Sequence, residues 1–361
     1  MKADGVFQTG IGMSMYELSL AICTYNRAPF LKVLIESLDR QLPGIDPLRC
    51  EILVIDNNCT DETERLCEEL GRARPNLRRV TEPKQGLSHA RNRAWKASSS
   101  EYICYLDDDA LVPPHFIRTL FQDIEAHHPE ILGGPVYPYY QDKKPFWFRD
   151  AYEIRKHARK TGFAPDGKVS GGNFTVQRQL LISLGGFDSS YGMVGGKVRM
   201  GEERMFIEAY KRARAYEERS IYYDLKAYIL HYTDKSKMRL SYMMKRSYHS
   251  GYAIMSIKNK DPGSAPKRTM EFVPYLLGYC FRELRTNGPF KADYPMMACE
   301  LAVRYGNLRW AWGFGFSYVM KKYLRYKYKP FRFRINTRGG VQKKWLDIFE
   351  EVTGFYKWLS R

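Results

Sequence analysis

The chain has 361 residues and a mass of 42.3 kDa, a length that suits one large domain or a domain with an appendage. Its composition, 44% hydrophobic and 27% charged, is that of a globular protein with a substantial core rather than of a disordered or fibrous chain. The formal net charge of +18 is high for such a protein and indicates an anionic partner.

The positive charge is concentrated in the last third of the chain. Residues 1–235 carry 33 Lys and Arg against 32 Asp and Glu, whereas residues 236–361 carry 25 against 8. The anionic partner is therefore expected at residues 236–361, and the function of the first two thirds must be inferred from motifs.

The seven cysteines are odd in number, form no Cys-x-x-Cys pair and lie partly in apolar runs, so we expect reduced core thiols rather than disulfides or a zinc site. The first residues lack the apolar stretch of a signal peptide, and no segment reaches the roughly 20 apolar residues of a membrane-spanning helix. We expect a soluble, cytoplasmic protein, with the inner face of the membrane as an open alternative for peripheral contact.

Strand and helix patterns alternate over the first 110 residues. Apolar side chains between Leu31 and Leu42 recur at helical spacing, and Thr60 is in place to cap the second helix. The predicted strands cover residues 17–27, 50–58, 77–83 and 101–110, and the predicted helices cover residues 28–42, 60–73 and 86–98. This order predicts an α/β fold, with a mostly parallel sheet covered by helices on both faces.

Polar residues follow three of the predicted strands, at 24–27, 56–58 and 107–109. Because ligands of open parallel sheets bind at the carboxyl ends of the strands, we expect these residues to converge on one crevice. Beyond residue 133 the pattern becomes irregular as far as residue 168, then resumes with a strand and a helix at 169–188, a helix at 201–215 and a strand at 220–232.

The sequence "YLDDDALVPP" places three carboxylates, Asp107, Asp108 and Asp109, directly after a buried strand. Neighbouring carboxylates suit a hard divalent cation such as Mg²⁺ or Mn²⁺. Alternation along an extended segment predicts that Asp107 and Asp109 share a site while Asp108 faces elsewhere. The alternative is a solvated turn without metal.

Six motifs occur in the order typical of family 2 glycosyltransferases, and the chain resembles that family over roughly residues 17–250. They are "LSLAICTYNR", "ILVIDNNCTDET", "KQGLSHARNRA", "YLDDDALVPP", "GGNFTVQRQLLISLGGFD" and "GEERMF". The resemblance implies a GT-A fold, a nucleotide-activated sugar as donor (usually a UDP-sugar), and a divalent metal on the diphosphate.

The resemblance also implies roles for the residues at the strand ends. Thr24, Asn26 and Arg27 lie in the segment that lines the nucleotide, and Asp56 matches the aspartate that binds the base. A turn residue and a helix cap are the structural alternatives for Thr24 and Asp56, respectively. Arg91 matches the basic residue beside the nucleotide, with a solvated helix charge as its alternative.

The aspartates and a later histidine are the expected metal site. Asp109 is the residue that we expect to contact the metal directly, with Asp107 nearer the ribose but also within the metal site, and Asp108 within the nucleotide site. His231, at a strand end, is a further candidate for the metal, although a lone histidine is also commonly a packed residue.

Glu202 and Glu203 occupy the place of the family's Gly-Glu-Asp sequence, whose last carboxylate is the general base. Either glutamate can accept the proton of an acceptor hydroxyl, and both can instead complement the helix dipole. We expect an inverting enzyme. Because the chain has no Gln-x-x-Arg-Trp sequence and no membrane spans, we expect the addition of one sugar rather than processive synthesis of a polysaccharide chain.

The predicted domains are a catalytic domain at residues 17–235 and a basic, aromatic-rich, mainly helical extension at 236–361. The extension contains "MKKYLRYKYKPFRFR", whose mixture of cations and aromatic rings suits an anionic membrane surface near a glycan or lipid-linked acceptor. An anionic glycan and a merely solvated surface remain alternatives, and nucleic acid is the partner that we favour least. The rival function is a non-catalytic protein that binds membranes or polyanions on a glycosyltransferase-like scaffold.

Overall fold

The computed structural model describes residues 16–41, 45–46, 49–164, 167–195, 199–214 and 220–257, together with residues 296, 298, 299, 302 and 303. These residues divide between two compact units. The first unit lies within Met1–Val136, Arg155–Phe187 and Ala213–Leu230, and the second lies within Tyr137–Ile154, Asp188–Arg212 and His231–Arg361. The predicted division at residues 235 and 236 stays a prediction, because most of 258–361 lies outside the described residues.

The described residues contain eleven strands and seven α-helices. The strands are β1 Leu18–Thr24, β2 Cys50–Asp56, β3 Leu77–Thr81, β4 Tyr102–Asp107, β5 Ala110–Leu111, β6 Ile131–Gly133, β7 Val136–Tyr139, β8 Gly162–Phe163, β9 Asn173–Gln177, β10 Ile221–Tyr223 and β11 Ile229–Tyr232. The helices are α1 Ala28–Asp39, α2 Thr63–Gly71, α3 Leu87–Ala97, α4 Phe116–His127, α5 Arg178–Leu184, α6 Glu202–Ala213 and α7 Leu240–Ile257.

The first unit is built on an eight-stranded sheet in the order β3-β2-β1-β4-β9-β6-β10-β8. The first four strands of this order are parallel, as predicted, and β9 is antiparallel to both of its neighbours. β5, β11 and β7 form a small second sheet. The prediction of a mostly parallel α/β fold is therefore confirmed.

The core of the first unit lies between the central strands and their helices. β2 is buried at all seven positions, because helices cover both faces of the sheet. The helical spacing noted in the sequence is the buried face of α1, whose residues Leu31, Leu34, Ile35 and Leu38 are all 0% exposed. These side chains pack into the core that the strands form.

Two local predictions were wrong. Thr60 does not cap α2, which begins at Thr63; instead, Asp61 Oδ1 accepts a hydrogen bond from the Thr63 amide at 3.1 Å, while Asp61 Oδ2 accepts one from the Ala28 amide at 3.0 Å. The single strand predicted at residues 220–232 is two strands, β10 and β11, because Asp224–Tyr228 form a turn between them.

In the second unit, α7 packs against an aromatic segment. Phe148, Met243, Met244 and Tyr248 are buried together, and the rings of Trp147 and Tyr152 lie against Phe148. None of the helices in the described part of the chain is both long and apolar enough to cross a membrane.

An ion pair holds α7 to the segment before it. Arg246 donates hydrogen bonds to both carboxylate oxygens of Glu153, at 2.8 and 2.6 Å, and Glu153 is 4% exposed. The guanidinium of Arg246 thus has a structural partner in Glu153.

Candidate functional site

The carboxyl ends of three strands bring the predicted residues to one edge of the sheet. Thr24 of β1 is in register with Asp56 of β2, and Cys23 of β1 is in register with Asp107 of β4. This alignment follows from the parallel pairing of the strands, and it confirms that their polar ends converge.

Asp108 and Asp109 form a buried acidic pair around the guanidinium of Arg27. Nη1 of Arg27 lies 3.0 Å from Asp108 Oδ1 and 2.8 Å from Asp109 Oδ2, and the two acidic side chains are 7% and 2% exposed. The hydroxyl of Thr24 donates to Asp108 Oδ2 at 2.8 Å. Four of the predicted nucleotide or metal residues are therefore in direct contact.

Carboxylate oxygens of Asp107 and Asp109 lie within 4.8 Å of each other, as the shared site predicts, but the expectation that Asp108 faces away from Asp109 was wrong. β4 ends at Asp107, and Asp108 and Asp109 lie in the turn before β5. Side chains alternate between opposite faces only along an extended strand, so the rule does not apply within this turn. Both carboxylates can consequently share one cationic partner.

Because Asp108 and Asp109 are buried, their negative charges are stable only with positive charge nearby. Burial raises the pKa of Asp108 to about 6; the guanidinium of Arg27 opposes this rise, the charge of Asp109 adds to it, and the hydrogen bond from Thr24 opposes it. Because like charges in a buried site disfavour each other's ionisation, a nearby cation is what keeps both carboxylates charged.

Asp107 lies beside Arg91 and two glycines. Arg91 is 3% exposed, its Nη2 lies 3.9 Å from Asp107 Oδ1, and its guanidinium lies 5.5 Å from the ring centre of Phe187. A Cβ atom on Gly172 would lie 2.0 Å from Asp107 Oδ2, and one on Gly171 would lie 2.8 Å from Arg91 Nη2. The glycines leave the room that these two side chains occupy. The sequence showed both glycines in the motif "GGNF", but it did not show that they make room for Arg91 and Asp107.

Asp56 is held by groups that the sequence analysis did not identify. Its Oδ1 accepts a hydrogen bond from the Cys59 amide at 2.8 Å, and its Oδ2 accepts one from Arg79 Nη1 at 2.8 Å. Each carboxylate oxygen keeps a further lone pair, so Asp56 can still accept a hydrogen bond from a base. Arg79 lies two positions before Thr81, the partner of Asp56 in the sheet, so strand alternation is the signal that identifies it.

Two asparagines shape the loops at this edge. Asn26, with a φ of 53°, accepts a hydrogen bond from the Thr60 amide at 2.7 Å, which ties the loop after β1 to the loop after β2. Asn57, which the sequence placed among the polar strand ends without a role of its own, donates to the carbonyls of Glu82 and Lys84 and accepts from the Gly86 amide at 2.8 Å. Asn26 therefore acts on the loops that surround the site.

The remaining candidates lie in the second unit. Glu202 and Glu203 are the first two residues of α6, where acidic side chains complement the helix dipole, and Glu202 is 7% exposed. Gly201 precedes them with a φ of 111°, a backbone conformation that favours glycine. His231 lies on β11, directly after Leu230, the last residue of the first unit.

The comparisons with known proteins agree with this geometry. Residues 19–185 match the model of the family described as "Glycosyl transferase family 2". The glucosyl-dolichyl phosphate glucuronosyltransferase of Haloferax volcanii is 24% identical over 245 residues, which cover 66% of this chain and 76% of that protein. The GalNAc(5)-diNAcBac-PP-undecaprenol beta-1,3-glucosyltransferase of Campylobacter jejuni is 27% identical over 33% of this chain and 38% of its own length.

Two solved structures share the fold at low sequence identity. The mannosyltransferase PcManGT from Pyrobaculum calidifontis, in complex with GDP-Man and Mn²⁺, superposes with a TM-score of 0.50 at 16% identity, over 95% of this chain and 86% of that one. S. aureus TarS 1-349 in complex with UDP also gives 0.50 at 16% identity, over 87% and 93% of the two chains. Residues 19–185 thus match the model of glycosyl transferase family 2, and the chain has the fold of these two solved glycosyltransferases, the GT-A fold.

Proposed function

We propose that the protein is an inverting, metal-dependent glycosyltransferase that moves one sugar from a nucleoside-diphosphate sugar, a UDP-sugar in the first instance, to an acceptor hydroxyl. The observation that carries the proposal is the buried group of Thr24, Arg27, Asp108 and Asp109 at the carboxyl end of the parallel strands. Arg27 brings one positive charge against these two buried carboxylates, so the group favours a further cation. The nucleotides bound by the two structural neighbours support a nucleotide as the donor.

The proposed metal ligands are Asp109, Asp107 and His231. Carboxylate oxygens and an imidazole suit Mn²⁺, and carboxylate oxygens with water suit Mg²⁺, so the residues present fit either cation. When bound, the cation offsets the negative charge that develops on the leaving diphosphate. Asp109 is the most buried of the three aspartates, and this makes it the strongest candidate for direct contact.

The proposed general base is Glu203, with Glu202 as the alternative. The acceptor oxygen attacks the anomeric carbon while the bond from that carbon to the diphosphate oxygen breaks, and the diphosphate leaves with the electron pair. Glu203 accepts the proton of the acceptor hydroxyl. Attack from the face opposite the leaving group inverts the anomeric centre. Glu203 is only partly buried, and a carboxylate needs such access to meet an acceptor.

The proposed acceptor is a glycan or a lipid-linked sugar. The names of the Haloferax and Campylobacter relatives both include a polyprenyl lipid that carries phosphate. Residues 236–361, with 25 Lys and Arg against 8 Asp and Glu, suit an anionic membrane surface where such lipids are found. We propose a cytoplasmic location with contact to the inner face of the membrane.

Calorimetry on the wild type and two variants tests the donor site and the base separately. The wild type should bind one nucleoside diphosphate among UDP, GDP, CDP and TDP only when Mn²⁺ is present, and Asp109→Ala should lose that binding. Glu203→Gln should keep the nucleotide affinity, because the base acts on the acceptor. The same variant, Glu203→Gln, should transfer the sugar roughly a hundredfold more slowly or worse, measured as the rate at which free nucleotide appears from the nucleotide-sugar.

Glu202→Gln is the matched control for the base, since the same helix turn loses the same charge. If the two glutamine variants lose the same fraction of the transfer rate, Glu203 is not the sole general base. That result would favour a joint role of the two glutamates at the helix terminus. Failure of the wild type to bind any of the four nucleotides with Mn²⁺ would contradict the proposed function and favour the rival, a non-catalytic basic binding protein.

A further inference from the structure

Arg27 occupies the centre of the acidic pair. A single nitrogen, Nη1, donates to Asp108 Oδ1 and to Asp109 Oδ2, at 3.0 and 2.8 Å. The same guanidinium thus contributes positive charge to both carboxylates. In this state Arg27 performs the electrostatic task that a bound metal would perform.

A divalent cation on Asp109 conflicts with this arrangement. Whichever oxygen of Asp109 the cation uses, it would lie close to the guanidinium in a site where the carboxylates are almost fully buried. Like charges in a site of low dielectric repel strongly. Binding of the metal therefore requires Arg27 to move away or to share its charge with a new anion.

The side chain of Arg27 is 39% exposed, in contrast to the buried acids, so it has solvent to turn into. Thr24 donates to Asp108 Oδ2, the oxygen that Arg27 does not use. Asp108 therefore keeps a hydrogen-bond donor when the guanidinium leaves.

A nucleoside diphosphate supplies the anion that Arg27 would need. Its phosphate oxygens match the planar fork of a guanidinium, and they also bind the metal. If the metal binds alone, Arg27 is displaced from the carboxylates and gains no anion in return. If the diphosphate binds alone, the carboxylates stay paired with Arg27. When both bind, the carboxylates gain a cation and Arg27 gains an anion.

We propose that Arg27 couples the binding of the divalent cation to that of the nucleoside diphosphate, by occupying Asp109 in their absence and turning to the diphosphate in their presence. This inference rests on the proposed function and adds a binding order to it: metal and donor enter as a pair. By linkage, each ligand increases the affinity for the other by the same factor.

Titration of Mn²⁺ with and without UDP, on the wild type, Arg27→Gln and Arg27→Lys, tests the coupling. The wild type should bind Mn²⁺ weakly alone, and UDP should tighten it by a factor of roughly 5–150. Without UDP, Arg27→Gln should bind Mn²⁺ about tenfold or more tighter than the wild type does. The factor by which UDP increases its Mn²⁺ affinity should be smaller than in the wild type by the same amount. Arg27→Lys keeps the charge without the planar fork, so it should keep the weak binding of Mn²⁺ alone and only part of the tightening by UDP.

A stability measurement provides a second readout. In EDTA, Arg27→Gln should have a lower Tm than the wild type, because its buried carboxylates lose their cation, and Mn²⁺ should raise that Tm more than it raises the wild-type Tm. Arg118→Gln, an exposed position on α4, is the control that removes one arginine charge elsewhere.

An unchanged coupling factor in Arg27→Gln, with wild-type binding of Mn²⁺ and UDP intact, would overturn the inference and leave the proposed function standing. If the wild type binds neither ligand, the proposed function fails, and the inference fails with it. Should Arg27→Gln be too unstable to titrate even with Mn²⁺, the affinity of Arg27→Lys for Mn²⁺ alone decides. Weak binding, as in the wild type, supports the inference, because the positive charge is kept; binding as tight as that of the wild type with UDP overturns it.

Discussion

Gly172 lies where any side chain would strike the carboxylate of Asp107. A Cβ atom at this position would lie 2.5 Å from Asp107 Cγ, closer than real Cβ contacts allow. The aspartate side chain is short and begins at the end of β4, so it can yield only by changing the position of its carboxylate. The geometry of a proposed metal ligand therefore depends on the absence of a side chain 65 residues later in the sequence.

Gly172→Ala is expected to weaken the binding of Mn²⁺ together with UDP by roughly tenfold or more, since displacement of a ligand by about 1 Å is costly. Its Tm should fall by only a few degrees, because the Cβ displaces a partly exposed carboxylate rather than core atoms. Calorimetry and thermal unfolding on the same sample measure the two effects.

Gly71→Ala is the matched control, because a Cβ atom there would meet its nearest neighbour at an ordinary 3.9 Å. This variant should leave both the Mn²⁺–UDP affinity and the Tm almost unchanged. An equal loss of affinity in Gly71→Ala would mean that the effect of Gly172→Ala is general, and wild-type affinity in Gly172→Ala would refute the spatial argument.

At the scale of elements, α4 and the turn after β10 meet through two acids. Asp123 on α4 and Asp224 after β10 are 8% and 4% exposed, and Asp224 Oδ1 accepts hydrogen bonds from the Thr161 hydroxyl and the Lys226 amide. Burial raises the pKa of Asp123 to about 7, and the charge of Asp224 and a hydrogen bond with its carboxylate add to the rise, while Lys226 opposes it. The folded protein therefore favours a protonated Asp123 that shares its proton with Asp224.

This pair predicts a loss of stability as the pH rises. The pKa of Asp123 in the folded protein lies above the ordinary aspartate value of 3.8. The contribution of the pair is complete below that ordinary value and declines as the pH approaches 7. Asp123→Asn, which carries donor hydrogens at every pH, should have a higher Tm than the wild type at pH 8, and the difference should shrink at pH 5.

Thermal unfolding between pH 5 and pH 8.5 measures this difference. Glu69→Gln, an exposed carboxylate on α2, is the control for the loss of one negative charge. If Asp123→Asn and the wild type lose stability in parallel over this range, the proton shared by Asp123 and Asp224 is not the cause.

At the scale of the whole molecule, the charge is divided between a balanced and a basic region. The excess of 25 Lys and Arg over 8 Asp and Glu at residues 236–361 accounts for nearly all of the net charge of +18. Most of this region lies outside the described residues. Anionic membranes attract such a region with about 1 kcal/mol for each cation near the surface.

The full chain is therefore expected to sediment with anionic vesicles but not with neutral ones. About 1 M salt should release it, because charges are screened over a short distance at that concentration. Replacement of Lys321, Lys322 and Lys327 by glutamine should weaken vesicle binding roughly a hundredfold, at about 1 kcal/mol per cation.

A charge-matched variant controls for net charge. Lys32, Lys96 and Arg118 are exposed residues of the first unit, and their replacement by glutamine should change vesicle binding far less. Equal weakening in the two triple variants would show that overall charge, rather than the basic region, governs attachment. If the full chain does not bind anionic vesicles, the proposed contact with the membrane is wrong.

The sequence by itself determined the order of the elements and the edge of the sheet where the site lies. Buried strands and amphipathic helices are local patterns, and parallel pairing aligns the strand ends Thr24, Asp56 and Asp107 without further information. The six ordered motifs, which are also local, indicated the family. The roles of Glu203 and His231 stay predictions, as does the helical extension.

Only the tertiary structure decided how the charged side chains are paired. Arg27 reaches Asp108 and Asp109 across 81 and 82 residues of sequence, and Arg79 reaches Asp56 across 23. The fit of Gly172 against Asp107 requires the antiparallel register of β9 on β4. Alternation predicted that Asp107 and Asp109 lie together, and their carboxylate oxygens are within 4.8 Å of each other. Because strand alternation ends where β4 ends, it could not show that Asp108 and Asp109 share Arg27. Such contacts depend on the path of turns and on strand register, and these are set by the packing of the whole sheet rather than by neighbours in sequence.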